Sequence, residues 1–294
     1  MDIRRLEIVL AVVDEGSFTG AADLLQISQP AVSQAVSALE RELGAQLFHR
    51  LGRAVRLTDA GAALCAPARL ALRDVAAARE AVAEVRGLLA GHLEVACLPT
   101  LAVAPLAPIV GAFRREFPDV TISLLDPDDT SNVLSLVRTG RCELGIVGDV
   151  ADTDLVLVAM ATQEYRVLLP PGTSSAHRLD ARALAAMPIV APPRGSSSRD
   201  LLDEVLAREG HSASVVVETA QREALVPLVL AGAGVALVPV SLAAIGERLG
   251  CTVAAIDPDV GRAVSIVHRN ATLTPAAAAF VRLAVSLSER PATT

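Results

Sequence analysis

Along the first sixty positions apolar residues recur every three to four places, and small polar residues or glycines interrupt that rhythm at short intervals. Ile3, Leu6, Ile8, Val9, Leu10, Val12 and Val13 have the spacing of a buried helix that ends near Gly16. Ser17 can cap a second helix, Phe18 to Leu25, by accepting a backbone N–H. Ser28, Gln29 and Pro30 open a third, because a proline in the first turn has no intrahelical hydrogen bond to lose. That helix runs through Ala31, Val32, Val36 and Leu39 to Leu43, and Gly44 stops it. The segment QISQ joins the second helix to the third and predicts a helix-turn-helix; HRLGRAVRLT then predicts a two-stranded wing turning at Gly52.

From Thr58 to about Leu89 the chain predicts one long helix. Leu64, Ala68, Ala71, Val75, Ala78, Val82, Val85 and Leu89 alternate spacings of four and three, which makes a heptad seam. Its alanines allow two helices to approach closely, so the seam predicts a homodimer paired through residues 58–89, the alternative being a helix that lies on its own domain. Pro67 lacks a helical N–H and predicts a kink or restart. After Gly91 the texture changes to short apolar runs (LEVACL, VTISLL, LGIVG, EYRVLLP, PIVAPP, VVVE, VALVP) separated by amphipathic helices. Such alternation predicts parallel sheets covered by helices, here in two lobes, closed by AVSIVHR and a helix from about Pro275 to Leu287.

A chain of 294 residues is long enough for more than one core, and 52% apolar with 20% charged residues predicts folding throughout. No window approaches the roughly 18 apolar residues that a membrane-spanning helix needs. The opening MDIRRLEIVLAVVDEG reads as an amphipathic helix and not as a secretory signal, so a cytoplasmic protein with no membrane partner is expected. Cys65, Cys97, Cys142 and Cys251 are too scattered for a zinc site or a disulfide framework, and reduced thiols are expected. All 26 basic residues are arginine.

The net charge of −7 argues against a nucleic-acid partner unless basic groups are concentrated locally, and residues 1–60 carry six arginines against eight acids. The concentration exists: from Leu43 to Thr58 there is no acid, and His49, Arg50, Arg53 and Arg56 form a patch where a wing can follow a DNA backbone. The third helix adds Ser28, Gln29, Ser33, Gln34 and Ser37, small polar groups able to bond base edges and phosphates. The alternative is a small helical cap whose serines merely start helices.

Enzyme motifs fail on order and context. Gly232 and Gly234 follow a helix and precede a strand, the reverse of a dinucleotide loop, and the five histidines have no ligand spacing. Neither a nucleophile elbow nor a P-loop is present, so no catalytic residue, metal or cofactor is expected. Three segments point instead to a small-molecule site between the lobes. Thr100, Thr130 and the run Ser196, Ser197, Ser198 each follow a strand and open a helix, offering hydroxyls and free N–H groups to a carboxylate or other anion. The same residues could equally be plain helix caps, and Arg194 either an anion partner or a solvated loop charge.

The run from Gly16 to Gly61 resembles the N-terminal signature of the LysR-type transcriptional regulators, a match that extends over some 60 residues without a gap. FRREFPDV, RTGRCELGIVG and LVLAGAGVALVP are similar, in kind, order and spacing, to that family's effector domain. The resemblance implies a third helix in the major groove of a partly symmetric double-stranded operator, homodimers through the long helix, homotetramers, and a small-molecule effector between the lobes. It carries DNA contact to Ser28, Gln29, Pro30, Ala31, Ser33, Gln34, Ser37, Arg50 and Arg53. It carries effector contact to Thr100, Leu101, Thr130, Ser131, Gly148, Arg194, Ser196, Ser197 and Ser198.

Many relatives have an arginine where this chain has Gln34 or Ser37, which implies a gentler salt dependence. Some acid-binding relatives have an arginine where Gly148 stands, which implies a ligand that is not strongly acidic. The expected fold class is α/β with an N-terminal all-α winged helix-turn-helix, a long linker helix and a two-lobed, doubly wound effector domain resembling periplasmic binding proteins. The expected domains are residues 1–60, 61–90 and 91–294, with the first lobe at about 91–161 and 268–294 and the second at about 162–267. Two rival readings share the two-lobed architecture: a transporter's solute-binding protein, which needs an export signal, and a cytosolic enzyme, which needs a reactive residue in the cleft.

Overall fold

The structure is a computed structural model that describes residues 1–51, 54–84, 89–150, 153–174 and 177–288. Three helices open it: α1 (Ile3–Glu15), α2 (Phe18–Leu25) and α3 (Gln29–Leu43). Each starts on a side-chain cap. Asp2 accepts from Arg5 N, Ser17 from Gly20 N and Ser28 from Ala31 N, so an otherwise orphaned N–H is satisfied in each first turn. Gly44, at φ +67°, ends α3 in the left-handed conformation that favours glycine. Leu6, Val9, Val12, Ala21, Val32, Val36 and Leu39 bury the facing stripes in one small core. Strands β1 (Phe48–Leu51) and β2 (Ala54–Leu57) pair antiparallel as the wing; its turn residues Gly52 and Arg53 lie outside the described residues.

Helix α4 (Asp59–Glu84) is continuous across Pro67 and begins with the Thr58 hydroxyl, which accepts from Gly61 N and donates to Gln46 O. The predicted seam is divided among three environments. Leu64 and Ala68 pack into the N-terminal core, whereas Ala71, Ala78 and Val82 are exposed. Leu89 lies beyond the helix and packs against the core of the next domain, because it leads directly into a buried strand; Val85 lies outside the described residues.

The first lobe comprises β3 (Gly91–Cys97), the short α5 (Pro99–Leu101), a kinked segment over Ala102–Leu106 that is extended at Ala104, α6 (Ala107–Glu116), β4 (Val120–Leu125), α7 (Thr130–Arg138) and β5 (Leu144–Val147). The fourteen-residue β6 (Val156–Leu169) then passes into the second lobe. That lobe holds β7 (Arg178–Asp180), α8 (Ala181–Ala185), β8 (Ile189–Ala191), α9 (Ser197–Ala207), β9 (Val215–Glu218), α10 (Leu225–Leu230), β10 (Ala236–Pro239), α11 (Val240–Arg248) and β11 (Thr252–Asp257). Strand β12 (Gly261–His268) returns, and α12 (Pro275–Ser288) closes the first lobe.

Strand order is β4-β3-β5-β12-β6-β11-β7, with β10 also on β6 and β8 paired to β9. The sheets are mixed where parallel ones were predicted. Pairs β3–β4, β3–β5, β7–β11 and β8–β9 are parallel, but β12 runs antiparallel to β5 and β6, and β10 and β11 run antiparallel to β6. The cause is the double crossing, since a strand that leaves a lobe and one that returns to it run in opposite directions. β6 and β12 pair from Gly261↔Glu164 to His268↔Val156 and so form a two-stranded ribbon between the lobes. Val264, Ile266 and Val267 already belong to the first-lobe core, so the return occurs within β12 and not at His268. Phe113 and Phe280 anchor that core, while Tyr165, Val167 and Ile189 anchor the second.

Candidate functional site

Two surfaces combine chemistry with geometry. The first is α3, whose buried face is Val32, Val36 and Leu39 and whose opposite side shows Ser28, Gln29, Pro30 and Gln34 to solvent, with Ala31, Ser33 and Ser37 half-buried at its margins. Gln29 Nε2 donates to Ser33 Oγ at 2.9 Å, which holds two candidate base-reading groups side by side on the outer face. On the wing, His49 faces Arg56 across the β1–β2 pair and both are exposed. The side chain of Arg50 and the whole of Arg53 lie outside the described residues. Arg4 and Arg5, by contrast, are held by Glu7, Asp2 and Glu42, so the helical part of this domain has little free positive charge.

The second surface is the cleft at the β6–β12 ribbon. Gln163 and Arg262 are register partners there, and both are buried. Arg262 donates from Nε and Nη2 to Gln163 Oε1 at 3.0 and 2.9 Å, from Nη2 to Thr100 Oγ1 at 2.9 Å, and from Nη1 to Ser197 Oγ at 3.1 Å. Thr100 belongs to the first lobe and Ser197 to the second, so one guanidinium touches both. Gln163 Nε2 donates to the carbonyls of Thr100 and Ala104, and the Tyr165 hydroxyl donates to Gln163 Oε1 at 3.0 Å. The guanidinium carbon lies 5.7 Å from the centre of the Tyr165 ring. Burial pushes the Tyr165 phenol above its ordinary pKa, against the pull of Arg262.

A cavity of about 280 Å³ adjoins this cluster through Thr100, with Pro99, Val103, Pro239 and Leu242 as apolar walls and Arg222 and Glu223 at its edge. A neighbouring cavity of about 310 Å³ is lined by Asp128, Arg194, Gly195, Ser196 and Arg222.

The sequence-predicted effector residues divide accordingly. Thr100 and Ser197 accept from Arg262, Ser198 lies beside Tyr165, and Gly148 lies against the arginine's stem. Ser196 and Arg194 line the neighbouring cavity. Leu101 is a departure: its side chain is fully buried in the first-lobe core and its N–H is spent on Leu98 O, so it packs and presents nothing to the cleft. Thr130 and Ser131 also depart, because Asp129 already occupies their helix start. Its carboxylate accepts from Asn132 N and from the Ser131 hydroxyl, bonds that hold the Asp129 pKa below its usual value. An anion would meet that charge first.

Sequence reasoning passed over Arg262 and Gln163. A signal was present: in β12 the alternation places Arg262 on the face of Val264 and Ile266, and all three are buried.

Comparison with known proteins assigns both halves. The family described as "Bacterial regulatory helix-turn-helix protein, lysR family" matches residues 3–62, and "LysR substrate binding domain" matches residues 86–288. The chain is similar to the nitrogen assimilation regulatory protein Nac of Escherichia coli, 30% identical over 99% of this chain and 96% of that one. Among solved structures it resembles full-length OxyR from Pseudomonas aeruginosa, with a TM-score of 0.80 at 24% identity over 98% and 96% of the two chains. Full-length CbnR complexed with its target DNA is likewise similar, with a TM-score of 0.70 at 25% identity over 98% and 100%.

Proposed function

The chain belongs to the LysR family of bacterial transcriptional regulators, and on that premise we propose how its two surfaces act together. It is a DNA-binding regulator with an effector-binding domain, and it is not an enzyme. The reading of the DNA surface rests on one observation: α3 buries an apolar face of Val32, Val36 and Leu39 while Ser28, Gln29, Pro30 and Gln34 are exposed to solvent. Placed in a major groove, that face offers hydroxyls and amides to base edges, while the free N–H groups at the helix start and the wing arginines meet phosphates. CbnR, solved on its target DNA, supports this arrangement.

The protein acts in the cytoplasm as a dimer paired through the exposed part of α4, and dimers pair again into a tetramer. An effector enters between the lobes at Thr100, Ser197, Ser198 and Arg262, with Arg194 and Ser196 at the mouth. Because β6 and β12 form a ribbon joining the lobes, binding on both sides of it changes their closure. That closure alters how dimers pack and moves the paired α3 helices along or off the operator. A ligand achieves this only through different affinities for the two arrangements.

The test is a gel-shift titration of the purified protein on the region upstream of its own gene. Specific binding at low salt is expected, and Gln29→Ala with Gln34→Ala should weaken it about 10- to 100-fold relative to random DNA. Equal affinity for promoter and random fragments would overturn the reading.

A further inference from the structure

Arg262 is 5% exposed, and among the described residues no carboxylate lies within ion-pair distance of it. The comparison with Arg199 of the second lobe is direct: that side chain, 3% exposed, is answered by Asp203 at 3.0 Å and Glu218 at 3.4 Å. A buried cation without an opposite charge is costly unless something completes it. The nearest acid that bonds to this strand, Asp149, spends a carboxylate oxygen on Ala263 N at 2.9 Å.

The polar groups around Arg262 make the imbalance larger. Its four hydrogen bonds end on three neutral oxygens, and one of these, Gln163 Oε1, also serves the Tyr165 hydroxyl. Thr100 and Ser197 accept from the guanidinium, which leaves each with a hydroxyl proton to give. Ser198 is 7% exposed, and its buried Oγ lies beside the Tyr165 hydroxyl without a well-formed hydrogen bond. The N–H groups of Ser197 and Ser198 open the eleven-residue α9 with no carbonyl partner and no side-chain cap. Arg222, which lines both cavities and also acts on Tyr165, has a buried Nε without a partner. Around Arg262 and the start of α9 donors therefore outnumber acceptors, with Glu223 and Asp128 placed at the cavities beyond, and the missing component there is an acceptor with negative charge.

We propose that the cleft binds a small organic anion: its charged oxygens sit on Arg262, the Ser198 hydroxyl and the start of α9, and its apolar body lies along Pro99, Val103, Pro239 and Leu242. This deepens the effector reading and rests on it. It also reverses what Gly148 alone implied, since the cation comes from the neighbouring strand.

The experiment is isothermal calorimetry and thermal melting on the full chain without DNA, at matched ionic strength and neutral pH. The probes are hexanoate, phenylacetate and phenylphosphonate, with hexanamide and phenylacetamide as the uncharged counterparts of the two carboxylates. At least one anion is expected to bind and raise the melting temperature while its amide does neither, and Arg262→Gln should weaken that binding about 10- to 100-fold. Ser198→Ala removes a hydroxyl that makes no well-formed hydrogen bond in the fold, so it keeps the test intact if Arg262→Gln unfolds; a loss of about fivefold or more is expected. No binding by any of the three anions, equal binding by the amides, or binding unchanged in the variants overturns the proposal. Promoter binding measured separately distinguishes the failures: a protein that binds its promoter but no anion sinks this inference alone, and one that binds anion but not DNA sinks the regulator reading.

Discussion

A Cβ placed on Gly148 would lie 2.9 Å from Cδ of Arg262 and 3.2 Å from its Nε. The stem of the arginine therefore fills the room that any side chain at position 148 would take. Gly148→Ala should displace Arg262 from Thr100 and Ser197 and weaken binding of an organic anion about tenfold, with a fall in melting temperature of only a few degrees. Calorimetry on the alanine variant checks this. Unchanged affinity would mean that the guanidinium need not hold its observed position.

A second prediction concerns the link between the DNA-binding helices and the first lobe. Asp14 on α1 accepts from both terminal nitrogens of Arg69 on α4, at 2.5 and 3.1 Å, and from Arg141 of the first lobe at 3.2 Å. Arg73 continues the chain of charges to Glu94 and to Gly140 O. Asp14→Asn should cost about 1–2 kcal/mol, because the ion pairs are half-buried and the Arg69 contact is two-pronged. Melting curves at low and high salt test it: the difference from the parent protein should shrink as salt rises, and a difference indifferent to salt would refute the electrostatic account.

Much of this architecture is legible in local sequence, and the exceptions share a cause. Ser17, Ser28 and Gly44 announce helix boundaries because a cap acts on groups within a few residues of itself. Arg262 does not announce its role, because its partners Thr100, Gln163 and Ser197 lie 162, 99 and 65 residues away. Thr130 and Ser131 mislead for the opposite reason. They have the pattern of an anion-binding helix start, but the residue just before them is an aspartate that takes the position. The heptad spacing of α4 is likewise genuine, yet spacing alone does not say that Leu64 and Ala68 serve the chain's own core while Val82 faces outward.

Stability should depend on pH through Glu80, which reaches from α4 toward the start of α12. Burial raises the pKa of its carboxyl, the negative charge of Glu143 raises it further, and Oε2 has no partner. A raised carboxyl pKa means that the folded state prefers the proton, so this group favours folding below the ordinary carboxylate range and disfavours it as pH rises through the folded value. Glu80→Gln should therefore raise the melting temperature at about pH 8 by roughly 1–2 °C, small because the group is only half-buried, and leave it unchanged near about pH 4. A variant less stable at the higher pH would contradict the sign.

The buried thiols should be inert in the folded protein. Burial pushes Cys97 up to about 12 despite the nearby Arg262, and burial followed by the charge of Glu94 pushes Cys142 up to about 12. Since the thiolate is the reactive form, iodoacetamide at neutral pH should leave both unmodified in the native state and label them in denaturant. Mass spectrometry of the two digests decides, and native-state labelling of Cys97 would show that the cleft opens far enough to admit reagent.

The exposed part of α4 makes the final prediction, because two α3 helices can reach successive major grooves only if two chains are joined. Val82 is 63% exposed and Ala71 is exposed as well, small apolar side chains that suit close packing against a second helix, while Ala78 borders a groove against α12. Val82→Asp would bring two carboxylates together in that seam, each deprived of water, and should raise the dimer dissociation constant about tenfold or more. Sedimentation equilibrium reads the change directly. Operator affinity should fall alongside it, since a separated chain contacts a single half-site, while anion binding in the cleft should persist. A parent protein that is monomeric at every concentration, or a Val82→Asp dimer as tight as the parent, would place the pairing surface elsewhere on the chain.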